Sequence, residues 1–582
     1  MKLILDDFIS YTPNRSKTMR INLFPVKSEL SLNSIVKWLK GGFNKWRIAF
    51  LVFAVAFAIV LTINLSYNSI QWDEVTHLNG GLSLLRGDFH SYFNFNAFYP
   101  PMYDLFTAGF FGIAGISVLT ARLVTVFFSI LSLYAVFEFG YRIYSPKIGL
   151  FASIFLALMP GFIWLSRLAL IETMLIFFFT ITALLFLVWL RNGKNKYLIL
   201  SGLTLGIGIL TKYQMVIIGA IMITSMVVLG WWQLRKRFTR FPLLILVTLV
   251  VVIPWIIVSY QVYASRMIET WIYALNMGNP DRSLYSLGLN SVGINRFPHF
   301  YVEIPNWTHL PIFYLIEMTA PYSDIHPVSL ILYILSFGGL VLFAWRRKAP
   351  DKYLLIWFVA VYVFFTAISN KQWRYIAPIF PVLALSAACL LTSGLETAHR
   401  IWRNKQLTIS ERRFAQVGAS FLIIFVLMGT AFSVSDANYW VTKDRVHIPI
   451  QDASQYVANH ILPNESIVVV NAQNLYSQDM VRFYMTASGK NNTIFQYPTD
   501  PVDTYTIHFN ITDLINLCKE HGVKYVFTYE FGGTVNYFNS TLSLRDIYQM
   551  IYESGNFTKL LENGTTIFGV PPRRIFVLTF LG

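Results

Sequence analysis

MYDLFTAGFFGIAGIS, residues 102–117, is apolar enough to read as a membrane span, and its placement fixes the topology of the whole chain. If it crosses the bilayer, the basic stretches RNGKNK (191–196), RKRFTR (235–240) and WRRKAPDK (345–352) all fall outside. If it lies along the interface, these stretches and HRIWRNK (399–405) collect on the cytoplasmic side, as the bias of Lys and Arg toward cytoplasmic loops requires. The interfacial reading is adopted. Working outward, apolar segments follow near 48–67, 119–143, 148–165, 170–190, 196–211, 213–232, 241–262, 327–345, 352–369, 375–395 and 414–434. Most approach the roughly 20 residues that a bilayer requires. Eleven spans with a cytoplasmic amino terminus place the carboxyl terminus outside.

Composition agrees with many spans. Of 582 residues 55% are hydrophobic and 16% aromatic, while only 13% are charged, which excludes an ordinary soluble or disordered chain. A formal charge of +16 raises the question of nucleic acid, but the basic residues lie in short gaps between apolar runs rather than on one face. No nucleic-acid partner is expected; membrane lipids are. Cys389 and Cys518 stand alone in a span and in the tail, so no disulfide framework is expected. The first 47 residues carry Asp6 and Asp7 and no long apolar core, so the first span reads as an uncleaved anchor.

The expected organisation is a cytoplasmic segment at 1–47, a transmembrane domain at 48–435 and an extracytoplasmic α/β domain at 446–582. In the last, SIVVV (466–470), NTIFQYP (492–498), KYVFTYE (524–530) and RRIFVLTF (573–580) read as strands, with helices near 474–486, 511–521 and 543–554. N-x-S/T sequons at Asn306, Asn464, Asn491, Asn510, Asn539, Asn556 and Asn563 all fall in predicted outer segments; Asn14 supplies one inside. No G-x-G-x-x-G, P-loop, H-E-x-x-H or C-x-x-C motif occurs.

On this topology the unusual polar residues collect on the outer side. NSIQWDEVTHLNGG (68–81) places Asp73, Glu74 and His77 just after the first span. Tyr99-Pro100-Pro101 and Asp104 open the interfacial helix. Arg167 and Glu172 occupy an outer turn, Lys212 ends LTK (210–212), and Lys371, Arg374 and Tyr375 lie in SNKQWRYIAPIFP (369–381). Charged groups near a bilayer are costly and usually have partners or a task. Bases at the rim suit the phosphate of an amphiphilic sugar donor, whose lipid stays in the bilayer. A carboxylate is needed to deprotonate the acceptor hydroxyl and support a cationic sugar carbon. Asp73 is the expected base, with Glu74 and Glu172 orienting acceptor and donor. Lys212, Lys371, Arg374 and Tyr375 are expected on donor phosphate, and His77, Tyr99 and Arg167 on substrate. The bland alternative makes Asp73-Glu74 a helix cap and Arg167 a headgroup contact.

The order Asp-Glu, Pro-Pro, G-x-S-x-L-x-A-R-L (115–123), S-R-x-x-x-x-E (166–172), L-T-K and R-Y-x-x-P-x-x-P (374–381) resembles the GT-C glycosyltransferases. Within them it is similar to the dolichyl-phosphate-mannose protein mannosyltransferase and aminoarabinose transferase families, over roughly residues 48–395. The resemblance implies a polytopic α-helical membrane protein of GT-C type with an outer α/β tail. It implies a polyprenyl- or dolichyl-phosphate sugar donor, inversion at the anomeric carbon and a first-loop Asp as base, carried here by Asp73. Tyr99 departs from the Lys or His that relatives often carry before Pro-Pro, and Glu172 from an Asp. Some relatives hold a divalent metal, but Ala97 and Phe98 stand where one ligand would be expected; none is assigned, and the metal question stays open. The expected function is transfer of a hexose, with mannose favoured, to a protein, glycan or lipid acceptor at the outer face of a cell membrane or, alternatively, in the endoplasmic reticulum. The rivals are a flippase of lipid-linked sugars and a scaffold displaying the outer domain. An oligosaccharyltransferase ranks low because a W-W-D-Y-G type motif is absent.

Overall fold

In the computed structural model, the described residues are 44–67, 69–95, 99–229, 237, 239–264, 267–268, 311–319, 326–368, 372–404, 406, 408–443, 449–470, 477–497, 509–531, 544–565 and 573–582. Lys371 lies outside them. After α1 (Lys45–Thr62) come α2 (Trp72–Arg86), α3 (Phe89–Phe95) and α4 (Met102–Ala114), then α5 (Val118–Ile143), α6 (Pro146–Ala157) and α7 (Pro160–Ser166). The bundle continues with α8 (Glu172–Asn192), α9 (Asn195–Ile209), α10 (Ile217–Val228), α11 (Phe241–Tyr263) and the short α12 (Phe313–Glu317). It closes with α13 (Leu330–Arg346), α14 (Ala349–Ala367), α15 (Phe380–Arg403) and α16 (Ile409–Lys443).

Each segment read as a span is helical over most of its described residues, though not always as one piece. Among the described residues seven helices are long and apolar enough to cross a membrane, or eight if α6 and α7 form one bent span. The bend there is 72°. Pro160 explains it, because its ring and missing N–H prevent α6 from running on past Met159. α5, α8 and α15 form the buried centre, while α1, α11 and α16 lie at the rim with apolar faces exposed as for lipid. α4 has 13 residues, about 20 Å at 1.5 Å per residue, and is too short to cross roughly 30 Å of hydrocarbon. It lies against α2, where Gly81 permits close approach: a Cβ there would come within 2.5 Å of Thr107.

Alternation of helix direction gathers the basic loops at one end. Arg240 donates to the Gly193 carbonyl at 3.1 Å and to Asn195 at 2.9 Å, joining the 191–196 and 235–240 stretches. At the same end Glu138 pairs with Arg142 and, at 3.5 Å, with Arg47. Buried Asp351 takes two hydrogen bonds of 2.7 Å from Arg346 and one of 2.9 Å from Tyr144. The first turn of α2, which carries Asp73, stands at the other end.

The tail begins with α17 (Ile450–His460) and β1 (Ser466–Val470), followed by α18 (Gln478–Ala487) and β2 (Ile494–Tyr497). α19 (Ile511–Glu520), β3 (Val523–Phe531), α20 (Leu544–Glu553), β4 (Phe557–Thr565) and β5 (Arg573–Phe580) complete it. The sheet order is β2-β1-β3-β5-β4; β1 is parallel to both neighbours, and β5 is antiparallel to β3 and β4. β4 is absent from the sequence reading, because FTKLLENGT is polar and its Asn-Gly reads as a turn. The tail is docked on the bundle: Asn79 donates to the Asp479 carbonyl at 3.0 Å, Arg86 bonds the Thr486 carbonyl, and Phe111 meets Phe483 at 6.2 Å. α18 therefore runs alongside α2 in the same direction.

Gly339 marks the tightest helix crossing, since a Cβ would lie 2.1 Å from the Ser386 carbonyl oxygen of α15. Gly339→Val is expected to lower stability by about 1–3 kcal/mol, read as a fall in the detergent melting temperature. Gly109→Ala, with nothing within 4 Å, should leave it nearly unchanged.

Candidate active site

The chain leaves α1 through a loop that two arginines pin. Arg167 Nη1 donates to the Leu61 carbonyl at 2.7 Å and Nη2 to that of Asn64 at 3.3 Å, satisfying carbonyls that the helix end leaves open. Arg122 Nη1 donates to the Leu65 carbonyl at 2.8 Å and Nη2 to that of Ser69 at 3.0 Å. The same guanidinium grips Glu74 through Nε at 2.8 Å and Nη2 at 2.7 Å. Glu74 also accepts from the Gln71 N–H at 2.9 Å, closing the first turn of α2, and from the Ala169 N–H at 2.7 Å. Both side chains are fully buried.

Asp73, one residue earlier, points elsewhere. Successive helical residues are about 100° apart, so Glu74 enters the core while Asp73 stays 42% exposed. Its Oδ2 meets Arg374 Nη1 at 2.7 Å. Arg374 lies in the turn Trp373–Ile379 that opens α15, held by Arg374 Nε on the Gln372 side chain at 2.7 Å and by Trp357 Nε1 on the Pro378 carbonyl at 3.0 Å. A second pair stands beside the first: Lys212 Nζ lies 3.0 Å from Glu172 Oε1. A hydrogen bond of 2.9 Å from the Met102 N–H to the Leu210 carbonyl ties the Lys212 turn to the start of α4. Glu172 Oε2 is buried without a hydrogen-bond partner among the described residues.

Tyr375 joins the two pairs. Lys212 Nζ lies 5.1 Å from its ring centroid and Arg374 Cζ 5.9 Å. Tyr99 is in electrostatic reach of Asp73, Arg374, Tyr375 and Glu172; burial, and next the Asp73 carboxylate, hold its pKa above the usual phenol value. Burial lowers the Lys212 ammonium below its ordinary value, while Glu172 pulls it back up. Two carboxylates and two cations thus face one another around two phenols.

Behind this set His77 Nδ1 bonds Asp104 Oδ1 at 2.8 Å, both buried. The imidazole meets Tyr99 edge-on at 5.3 Å and Tyr103 at 4.9 Å, and Tyr103 hydrogen-bonds Thr125 at 2.7 Å. His77 supports the wall that carries Tyr99.

The structure brings together Asp73, Glu172, Lys212, Arg374, Tyr375 and Tyr99; Lys371 lies outside the described residues. Two of the expected residues make other contacts. The Glu74 carboxylate is buried and held by Arg122 and two backbone N–H groups. Arg167 donates to carbonyls at the end of α1. Arg122 and Asp104 had no assigned role, although an Arg inside an apolar run and an Asp three residues past Pro101 were available signals. Among the described residues no group of three His, Cys, Asp or Glu converges as for a metal.

A model of the dolichyl-phosphate-mannose-protein mannosyltransferase family matches residues 99–258, which include Tyr99, Arg122, Arg167, Glu172 and Lys212. The undecaprenyl phosphate-alpha-4-amino-4-deoxy-L-arabinose arabinosyl transferase of Pectobacterium carotovorum subsp. carotovorum (strain PC1) is 27% identical over 204 residues, 34% of this chain and 31% of that protein. The matched part is thus about a third of that relative's length. Among solved structures, ArnT from Cupriavidus metallidurans in the apo state has a TM-score of 0.56 at 14% identity, covering 90% of this chain and 97% of that one. Its undecaprenyl phosphate-bound form has a TM-score of 0.53 at the same identity and coverage. The oligosaccharyltransferase of Archaeoglobus fulgidus has a TM-score of 0.52 at 15% identity, over 84% of this chain and 70% of that one. At these identities the solved structures establish the shared fold.

Arg122→Leu should cost about 3–5 kcal/mol, the usual consequence of leaving a buried charge unpaired, seen as a large fall in melting temperature. Arg374→Gln, whose partner Asp73 is half-exposed, should shift stability by less than about 1 kcal/mol.

Proposed function

We propose that this chain is a member of the GT-C glycosyltransferase superfamily and transfers a sugar from a polyprenyl-phosphate donor to an acceptor hydroxyl. The observation that carries the reading is the pairing of Asp73 with Arg374 beside Glu172 with Lys212, bridged by Tyr375. The family description, and a relative and a structural neighbour whose names carry undecaprenyl phosphate, support it. The site would lie at the outer interface, opposite the cytoplasmic end where the basic loops meet, with the tail outside.

Without donor the four charges cancel. An incoming phosphate monoester brings further negative charge and competes for the same cations. Arg374 and Lys212 then turn to the phosphate, and Tyr375, between them, adds a phenol O–H. The exchange releases both acids where each is needed. Asp73 becomes free to take the acceptor proton, and the unpartnered Oε2 of Glu172 is available to a sugar hydroxyl. The acceptor oxygen attacks the anomeric carbon from the face opposite the phosphate, and the sugar–phosphate C–O bond breaks. The electron pair leaves with the polyprenyl phosphate, and the proton rests on Asp73, so the anomeric centre inverts. Lys212 and Arg374 stabilise the departing phosphate, so no general acid is needed.

The finer reading is a hexose, with mannose favoured by the family description, whereas the arabinosyl relative makes an aminopentose the sugar to test beside it. The acceptor class, whether protein, glycan or lipid, stays open between those three.

The test uses purified full-length protein with radiolabelled polyprenyl-phosphate mannose or polyprenyl-phosphate aminoarabinose and membrane extract as acceptor. Transfer by the parent with one donor, and a loss of at least about a hundredfold in Asp73→Asn, the scale of a lost general base, are the expected results. Equal transfer by parent and variant would remove Asp73 from the chemistry. Transfer from neither donor would contradict both sugars.

A further inference from the structure

We propose that Asn464 and Asn491 are a paired N-glycosylation site on the tail, and that the glycans stand over the open edge strand β2. The proposal rests on the outward placement of the tail but not on the transferase chemistry. Both asparagines begin sequons, Asn464-Glu465-Ser466 and Asn491-Asn492-Thr493. A sequon modified in an outer compartment must also sit where a bulky glycan fits the finished fold.

The five described sequons of the tail differ in that respect. Asn464 and Asn491 are exposed, Asn464 in the turn before β1 and Asn491 in the turn before β2. β1 and β2 are parallel and pair Ile467 with Ile494, so each asparagine lies three residues ahead of a register partner. Asn492 braces the two turns together: its Nδ2 donates to the Leu462 carbonyl at 2.7 Å and to that of Glu465 at 2.8 Å. The Ile467 N–H completes the link on the Thr493 carbonyl at 2.9 Å. The two acceptors are therefore held side by side at one corner of the sheet. By contrast Asn556 donates Nδ2 to the Ser554 carbonyl at 3.0 Å and Asn563 to Asp452 at 3.2 Å, and both are partly buried. Asn510 is exposed as well, but its side chain is held as the cap of α19, its oxygen accepting from the Thr512 N–H at 2.9 Å.

In the covalent step the asparagine Nδ2 forms a bond to the anomeric carbon of a lipid-linked oligosaccharide and gives up one proton to a base of the oligosaccharide-transferring enzyme. The bond from that carbon to the lipid-linked phosphate breaks, and the phosphate leaves with the electron pair. Thr493 is exposed, so Asn491 remains a complete acceptor in the folded chain. Ser466 is buried as the first residue of β1, so Asn464 is modified before that strand closes. Among the described residues β2, of four residues, flanks only β1 in the sheet. A bulky polar group at its entry blocks the approach of another chain to an edge that could template pairing.

The full-length chain, extended past Gly582 by a flexible linker with one further Asn-Ser-Thr acceptor, is translated into microsomes that hold a lipid-linked oligosaccharide and its transferase. The expected result is a set of glycan steps on a gel, removed by a peptide N-glycosidase. Asn464→Gln and Asn491→Gln should each remove one step and together two. A modified terminal acceptor with no step lost in either variant would overturn the proposal while leaving the tail outside. An unmodified terminal acceptor would overturn the outward placement, and the proposal with it.

Discussion

The buried pairing of Glu74 with Arg122 is the constraint on which the site depends. A carboxylate without solvent is tolerated only when its charge and lone pairs are met. Here one guanidinium and two backbone N–H groups meet them. Because Arg122 also holds the carbonyls of Leu65 and Ser69, the pair joins the exit of α1, the start of α2, the body of α5 and the turn before α8. Once α2 is fixed at that point, the helical twist decides where Asp73 looks. Adjacent acids thereby acquire opposite fates, one locking the loop and the other facing Arg374.

The site built on this lock is balanced in charge. Each cation is matched to a carboxylate, and the phenols of Tyr99 and Tyr375 lie among them. Such a set gains little from another cation and much from an anion that competes for Arg374 and Lys212, which suits a lipid phosphate arriving from the membrane side. The tail completes the frame: α18 lies along α2, so the helix bearing Asp73 is held from below by the bundle and from the side by the sheet domain. Deleting the tail would uncover apolar residues of α2 such as Val75, Leu78 and Leu82, which share its core.

Much of this was legible in the sequence because it depends on composition and period. Long apolar runs separated by basic gaps mark the helices and the end at which the gaps gather, and 13 residues of α4 match the interfacial reading of 102–117. The strands with β-branched and aromatic runs were equally plain, whereas β4 was not, since an edge strand tolerates the polar residues and the Asn-Gly that elsewhere signal a turn. The break at Pro160 is a local event that hydropathy averages away. In the site, residue type indicated charge but not direction. Asp73 and Glu74 look alike in sequence, and only the burial of Arg122 separates them. Arg167 reads as a substrate contact, and nothing in its spacing shows that it also reaches the carbonyls at the end of α1. The Asp104–His77 bond joins residues 27 positions apart, a pairing that no spacing rule supplies.

The central claim is that donor phosphate takes Arg374 from Asp73. The direct measurement is the equilibrium binding of polyprenyl phosphate to four full-length proteins: the parent, Asp73→Asn, Arg374→Gln and the double variant. If the two side chains compete as described, Asp73→Asn tightens binding by about tenfold, or about 1.4 kcal/mol, when Arg374 is present, and changes it by less than about twofold when Arg374 is Gln. The same tightening in both backgrounds would mean that Asp73 merely repels the phosphate. No tightening in either would mean that the pair is not opened by the ligand, and the account would fail.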